Sequence, residues 1–162
     1  MRKNILCNFL AISFSLFLLA NVARAEAPAG SDKKTLVQNL VNDAIELIDT
    51  QGQAAIDIIS DKNGKFNTKD AYVFITSETG EDLVNPAFKD IEGMPIETYS
   101  EPTSKEAQMI IVSAVKNSDS AWVEYLWPKP GETKPSKKIS YLKKIIVNGK
   151  VRIVGAGFYP QE

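Results

Sequence analysis

The stretch from Glu124 to Lys144, "EYLWPKPGETKPSKKISYLKK", sets aromatic residues and lysines on either side of a loop rich in proline. Tyr125 and Trp127 precede the loop, Lys138 and Tyr141 follow it, and Phe158 and Tyr159 close the chain's last apolar run. Tyr72 and Phe74, in an earlier β-rich run, can join them. Rings exclude water, hydroxyls donate hydrogen bonds and a lysine supplies charge, so this set suits a small anionic ligand. The same rings also serve as plain core, and lysines 137, 138, 143 and 144 as a solvated face.

Other chemistry is narrowed by what the chain lacks. It has no histidine, which removes imidazole dyads and the usual zinc and iron sites. Its one cysteine, Cys7, lies in the N-terminal leader. No spacing singles out a pair of carboxylates as a hydrolase, and "DKNGK" at Asp61 reads as a helix-stop turn. Aligned on Gly64, a calcium loop would need a carboxylate where Ile59 stands. The "GAG" of Gly155–Gly157 has no helix after it to bind phosphate, so its glycines read as a bulge or as a close approach to something lying on a strand. We therefore expect no enzyme, no metal and no cofactor.

The leader carries Arg2 and Lys3, an apolar run from Phe9 to Ala20, and small residues at Ala23 and Ala25. The run is shorter than the roughly 20 residues of a spanning helix, so residues 1–25 read as a secretory signal peptide cleaved after Ala25. The mature chain, residues 26–162, is then a single domain, periplasmic or secreted, without a thiol. Loss of Arg2, Lys3 and Arg24 leaves 16 of the 19 cations against all 20 acids, a net charge of −4. That balance argues against nucleic acid and anionic lipid.

The elements that must position these residues follow from periodicity. Leu36, Leu40, Ala44, Leu47, Ala55 and Ile59 recur at helical spacing and predict one long helix over Lys33–Ser60, weakened or bent at Gly52. "AYVFITSETGEDLVNP" predicts two strands turned at Thr79-Gly80, and Pro86 to Ser100 a loop over the sheet. Thr103 and Glu106 form a capping-box pattern ahead of a second helix. "WVEYLW" alternates like a strand. Asn148-Gly149 predicts a two-residue type I′ hairpin between two further strands, since both residues tolerate positive φ. The order gives an α+β domain: a long N-terminal helix packed on a central antiparallel sheet of about five strands.

In order and spacing, "NGKF", "AYVFITSETGEDLVNP", "IEGMPI", "WVEYLWPKPG", "KISYLKK" and the closing "GAGFY" resemble the single-unit Cache sensor domains of the second type, over Ile45 to Tyr159. The resemblance implies a Cache/PAS-like extracytoplasmic domain with a pocket for a small metabolite, often a short carboxylate, usually carried by a chemoreceptor or histidine kinase. The family's Lys-x-Ser-Tyr pattern falls on Lys138, Ser140 and Tyr141, and its aromatic strand on Tyr125 and Trp127. Two positions depart: Asn85-Pro86 stands where His-Pro is common, and Arg152 where a tryptophan is frequent.

The expected function is a sensory domain that binds a small carboxylate through Lys138, Tyr141, Tyr125, Trp127, Tyr72, Phe74, Tyr159 and Arg152. With no output module of its own, it would present the bound state to a membrane receptor or kinase. The alternative is a protein-interaction module whose pocket is collapsed on its own aromatics. In a regular strand Lys138 and Tyr141 face opposite ways, so their joint contact with a ligand requires a bulge or a loop-like start to the strand.

Overall fold

A computed structural model describes residues 29–160, so the predicted signal peptide lies outside the described residues. Helix α1 (Ala29–Gln51) buries Val37, Leu40, Val41, Ala44 and Ile48, the three- and four-residue steps of one helix face. It does not run through to Ser60 as predicted. Gly52 takes a φ of +57°, the left-handed conformation typical of a helix terminus, and its N–H bonds back to the Ile48 carbonyl. The chain restarts as α2 (Ala54–Ser60), which buries Ala55 and Ile59. A glycine expected to bend one helix instead separates two.

Strands β1 (Tyr72–Ser77) and β2 (Asp82–Val84) form the predicted pair, turned through Gly80 at a φ of +90°. After β2 come two short 3₁₀ turns, Lys89–Ile91 and Ile96–Thr98, and then helix α3 (Pro102–Ala114). The predicted capping box does not form. Pro102 occupies the first turn, where its fixed φ suits a helix start and its missing N–H costs nothing, so Glu101 takes the cap position. Thr103 then lies inside the helix.

Strands β3 (Ser120–Pro128), β4 (Pro135–Val147) and β5 (Lys150–Phe158) complete an antiparallel sheet in the order β2-β1-β5-β4-β3. Asn148 and Gly149 have φ of 51° and 73° and close the β4–β5 hairpin, with Val147 paired to Lys150. The proline-rich segment is the tip of the β3–β4 hairpin, bounded by the Pro128–Pro135 pair.

The sheet is covered on both faces, and this explains why every residue of β1 is buried. On one face α1 and α2 pack over Val73, Ile75, Val154, Ala156 and Phe158. On the other, Ala107 and Ile111 of α3 and Val115 just after it, with Tyr99, close over Tyr72, Phe74, Leu142, Ile153, Tyr125 and Trp127.

Gly155 and Gly157 sit in β5 on this second face, where side chains from neighbouring strands lie against the bare backbone. A Cβ on Gly155 would stand 2.6 Å from Phe74 Cε2 and 2.8 Å from Leu142 Cδ2. Gly155→Ala should therefore destabilise by about 1–3 kcal/mol, the usual cost of overpacking a core. A fall in urea midpoint with an unchanged slope is the expected readout; an unchanged midpoint would mean that the ring above Gly155 is free to move aside.

Candidate functional site

Lys138 lies in β4 directly opposite Tyr125 of β3, on the sheet face covered by α3. Its side chain is 1% exposed. Gly157 makes that burial sterically feasible, because a Cβ there would come within 2.7 Å of the lysine's Cε. The Nζ stands 3.7 Å from the centroid of the Tyr72 ring, 5.0 Å from that of Phe74 and 5.7 Å from that of Tyr159. Three ring faces stabilise an ammonium through their quadrupoles without neutralising it. Burial pushes its pKa down to about 7, a drop partly opposed by the charge of Asp82. Among the described residues no acid reaches ion-pair distance of it.

Asp82, the first residue of β2, is buried nearby. Its carboxylate accepts hydrogen bonds from Thr76 Oγ1 (3.3 Å), Gln108 Nε2 (3.0 Å) and Asn85 Nδ2 (3.3 Å), with the Tyr99 hydroxyl at 3.5 Å. Burial pushes its pKa up to about 6, against the pull of Asn85, Gln108, Thr76 and Lys138. β1, β2, the following loop and α3 thus meet on one carboxylate.

Between Lys138 and Asp82 lies an internal cavity of about 10 Å³, also lined by Tyr72, Phe74, Tyr125 and Trp127. Among the described residues, the buried side-chain polar atoms with no hydrogen-bond partner are Tyr72 Oη, Asn85 Oδ1, Gln108 Oε1 and Trp127 Nε1. All four residues line this one cavity. Buried polar groups are ordinarily paired, so four such orphans around one space mark it as polar and unfinished. Tyr72's hydroxyl is held protonated by burial and by the tyrosines at 159 and 125, and its contact with Tyr159 falls short of a well-formed hydrogen bond. Tyr125 Oη instead meets Ser140 Oγ at 2.9 Å, and Tyr159 donates to the Pro128 carbonyl, tying the end of β5 to the hairpin tip. Phe88 covers the rings from the loop side, edge-on to Trp127 at 5.8 Å and tilted on Tyr72 at 6.3 Å.

The sequence-predicted residues divide by strand period. Lys138, Tyr72, Phe74, Tyr125 and Trp127 line the cavity, and Tyr159 flanks Lys138. Tyr141 does not join them. β4 pairs without a bulge with β3 over Lys138–Tyr141 and with β5 from Ile139 onward, so Tyr141 emerges on the opposite face, 5.2 Å from the Trp122 ring and beneath α1. Arg152 also faces away, lining a separate cleft at the α1–α2 break, where its Nη1 donates to the Val151 carbonyl.

Sequence reasoning missed Asp82, Asn85 and Gln108. Two signals were available. Asp82 is an acid directly ahead of the apolar pair Leu83-Val84, and Gln108 is an amide beside Ala107 and Ile111 on the buried face of α3. In the sequence Asn85 stands out only as a departure from the histidine common in the family.

The Cache domain family model matches residues 60–162, and the chain belongs to that family. Its fold is similar to that of a periplasmic sensor domain of a chemotaxis protein, at 25% identity over 83% of this chain and 100% of the other, with a TM-score of 0.68. It is similar also to a Cache chemosensory domain studied for its carboxylic acid recognition, at 24% identity over 82% and 96% of the two chains (TM-score 0.65). A methyl-accepting chemotaxis protein from Vibrio parahaemolyticus RIMD 2210633 shares the fold at 17% identity, over 80% and 89% (TM-score 0.62). The chain is accordingly a sensory, ligand-binding Cache unit. No helix among the described residues is long and apolar enough to cross a membrane.

Proposed function

We propose that this domain works outside the cytoplasm, binds a small organic acid in the Lys138 cavity and presents the bound state to a membrane receptor or kinase. The observation that supports the ligand class is Lys138 itself: a buried ammonium inside three rings, without an acid at ion-pair distance. A ligand carboxylate would supply the missing counter-charge and restore a charge-assisted hydrogen bond, which is roughly twice as strong as a neutral one. That a similar fold recognises a carboxylic acid is consistent with this reading. Cleavage after Ala25 is part of the same proposal and predicts an exported chain beginning at Glu26.

At about 10 Å³ the cavity holds about one water, and even a two-carbon acid is several times larger. Binding must then displace its cover, the loop bearing Phe88 or helix α3. Such a movement would be the signal passed to the partner, because the same helix also carries Gln108 to the Asp82 carboxylate. The small volume equally favours a second reading, an interaction module whose pocket stays filled by its own rings.

A thermal-shift screen of short mono- and dicarboxylates separates the two. A ligand at 100 times its dissociation constant stabilises by about 2.7 kcal/mol, a shift of several degrees for a domain of this size. No shift with any acid would leave the interaction module standing.

A further inference from the structure

We propose that the ligand carries a hydrogen-bond donor, a hydroxyl or an ammonium, on the carbon next to its carboxylate. The inference rests on the carboxylate reading and concerns the other end of the same cavity. The orphan groups fall into two chemical kinds. Trp127 Nε1 is a donor, the Tyr72 hydroxyl can donate, and Lys138 donates with charge; Asn85 Oδ1 and Gln108 Oε1 only accept.

The two amides cannot exchange roles. Their Nδ2 and Nε2 atoms are committed to the Asp82 carboxylate, which accepts hydrogen bonds and offers none, so their oxygens are the ends left over. Asn85 and Gln108 are 3% and 1% exposed, beyond the reach of bulk water. A simple acid would answer the donors and leave both carbonyls dry, whereas a 2-hydroxy or 2-amino acid answers both. Asp82, with four donors already around it, keeps the amides turned this way and adds a negative potential that favours an incoming donor.

Four acids on one three-carbon skeleton test the proposal by calorimetry on the unaltered protein at pH 6.5: propionate, pyruvate, lactate and alanine. They differ only at the second carbon. Either lactate or alanine should bind at least about tenfold more tightly than both propionate and pyruvate, since a hydroxyl gives its one hydrogen to one buried acceptor and an ammonium can give one to each. Which of the two leads identifies the donor as hydroxyl or ammonium. In Gln108→Met, where one acceptor is gone, that lead should shrink. Equal affinities across the series, or a lead for propionate, would overturn the proposal while leaving the carboxylate reading intact; the carbonyls would then be answered by a single bound water. If none of the four binds, this inference falls, and the carboxylate reading falls with it only when the wider screen of mono- and dicarboxylates is blank as well.

Discussion

Lys138→Met should weaken binding of the small acid by about 10- to 150-fold, the loss of a charge-assisted contact worth about 1.5–3 kcal/mol out of bulk water. The fold should be unharmed or more stable. Methionine fills nearly the same volume among the Tyr72, Phe74 and Tyr159 rings, and it removes a charge that burial disfavours.

The pH dependence follows from the sign of the shift. The lysine titrates near 10.4 in the unfolded chain and at about 7 when folded, so between those values the unfolded chain holds the extra proton. Stability of the unaltered protein should climb as pH rises from about 7 to about 10 through this group. Lys138→Met should lack that climb, and its advantage should be greatest at or below neutrality. Affinity for the acid should decline above pH 7 as the free site loses its charge. Lys143→Met is the control, because Lys143 lies on the other face and its ammonium meets Asn42 at the exposed surface. Equal affinities of the two variants would remove Lys138 from the site.

Asp82→Ala should cost at least about 2 kcal/mol, a large part of the 5–15 kcal/mol that holds a domain together, since a buried donor left unpaired costs about 1–3 kcal/mol. It deletes the acceptor shared by Thr76, Asn85, Gln108 and Tyr99 and leaves buried donors unpaired. Asp82→Asn keeps one acceptor oxygen and should fall between. The acid's own titration runs opposite to the lysine's. With a folded pKa of about 6 against about 3.9 unfolded, the folded chain holds the proton in that window, so stability should fall as pH rises from about 4 to about 6. The two groups together predict a shallow minimum between pH 6 and 7, where both buried charges are present. Chemical denaturation across pH reads it directly, and a loss below about 1 kcal/mol in Asp82→Ala would show that the carboxylate does not bind the elements together.

The lysine half of the site was legible in the sequence because it lies on long strands. The family pattern singles out Lys138, alternation places Tyr125 and Trp127 on one face by counting, and the Asn148-Gly149 turn pins β4 against β5. The same counting argued against Tyr141, which the family pattern had suggested; strand period prevailed because no bulge intervenes. Gly155 and Gly157 leave a bulge and a close approach both open in the sequence; the pairing is regular there, and the Phe74 ring and the Lys138 stem are what approach them.

The Asp82 half was not legible. Its members come from a three-residue strand, an irregular loop and one turn of a helix, and nothing in their local spacing relates position 82 to position 108. Only tertiary packing brings them together. The α1–α2 break was half visible: a glycine's preference for positive φ was known, but whether the chain bends or stops there depends on the packing of Ala55 and Ile59 beyond it.

The central claim, that a ligand carboxylate completes the charge of Lys138, is tested most directly by following the titration of that lysine's ε-carbon by NMR. The comparison is between the free protein and the protein saturated with the tightest acid of the three-carbon series. Free Lys138 should titrate near 7, and bound Lys138 should move upward by a unit or more, since each pKa unit corresponds to about 1.4 kcal/mol of preferential binding to the charged form. A lysine whose titration is unchanged under saturating acid would contradict the account.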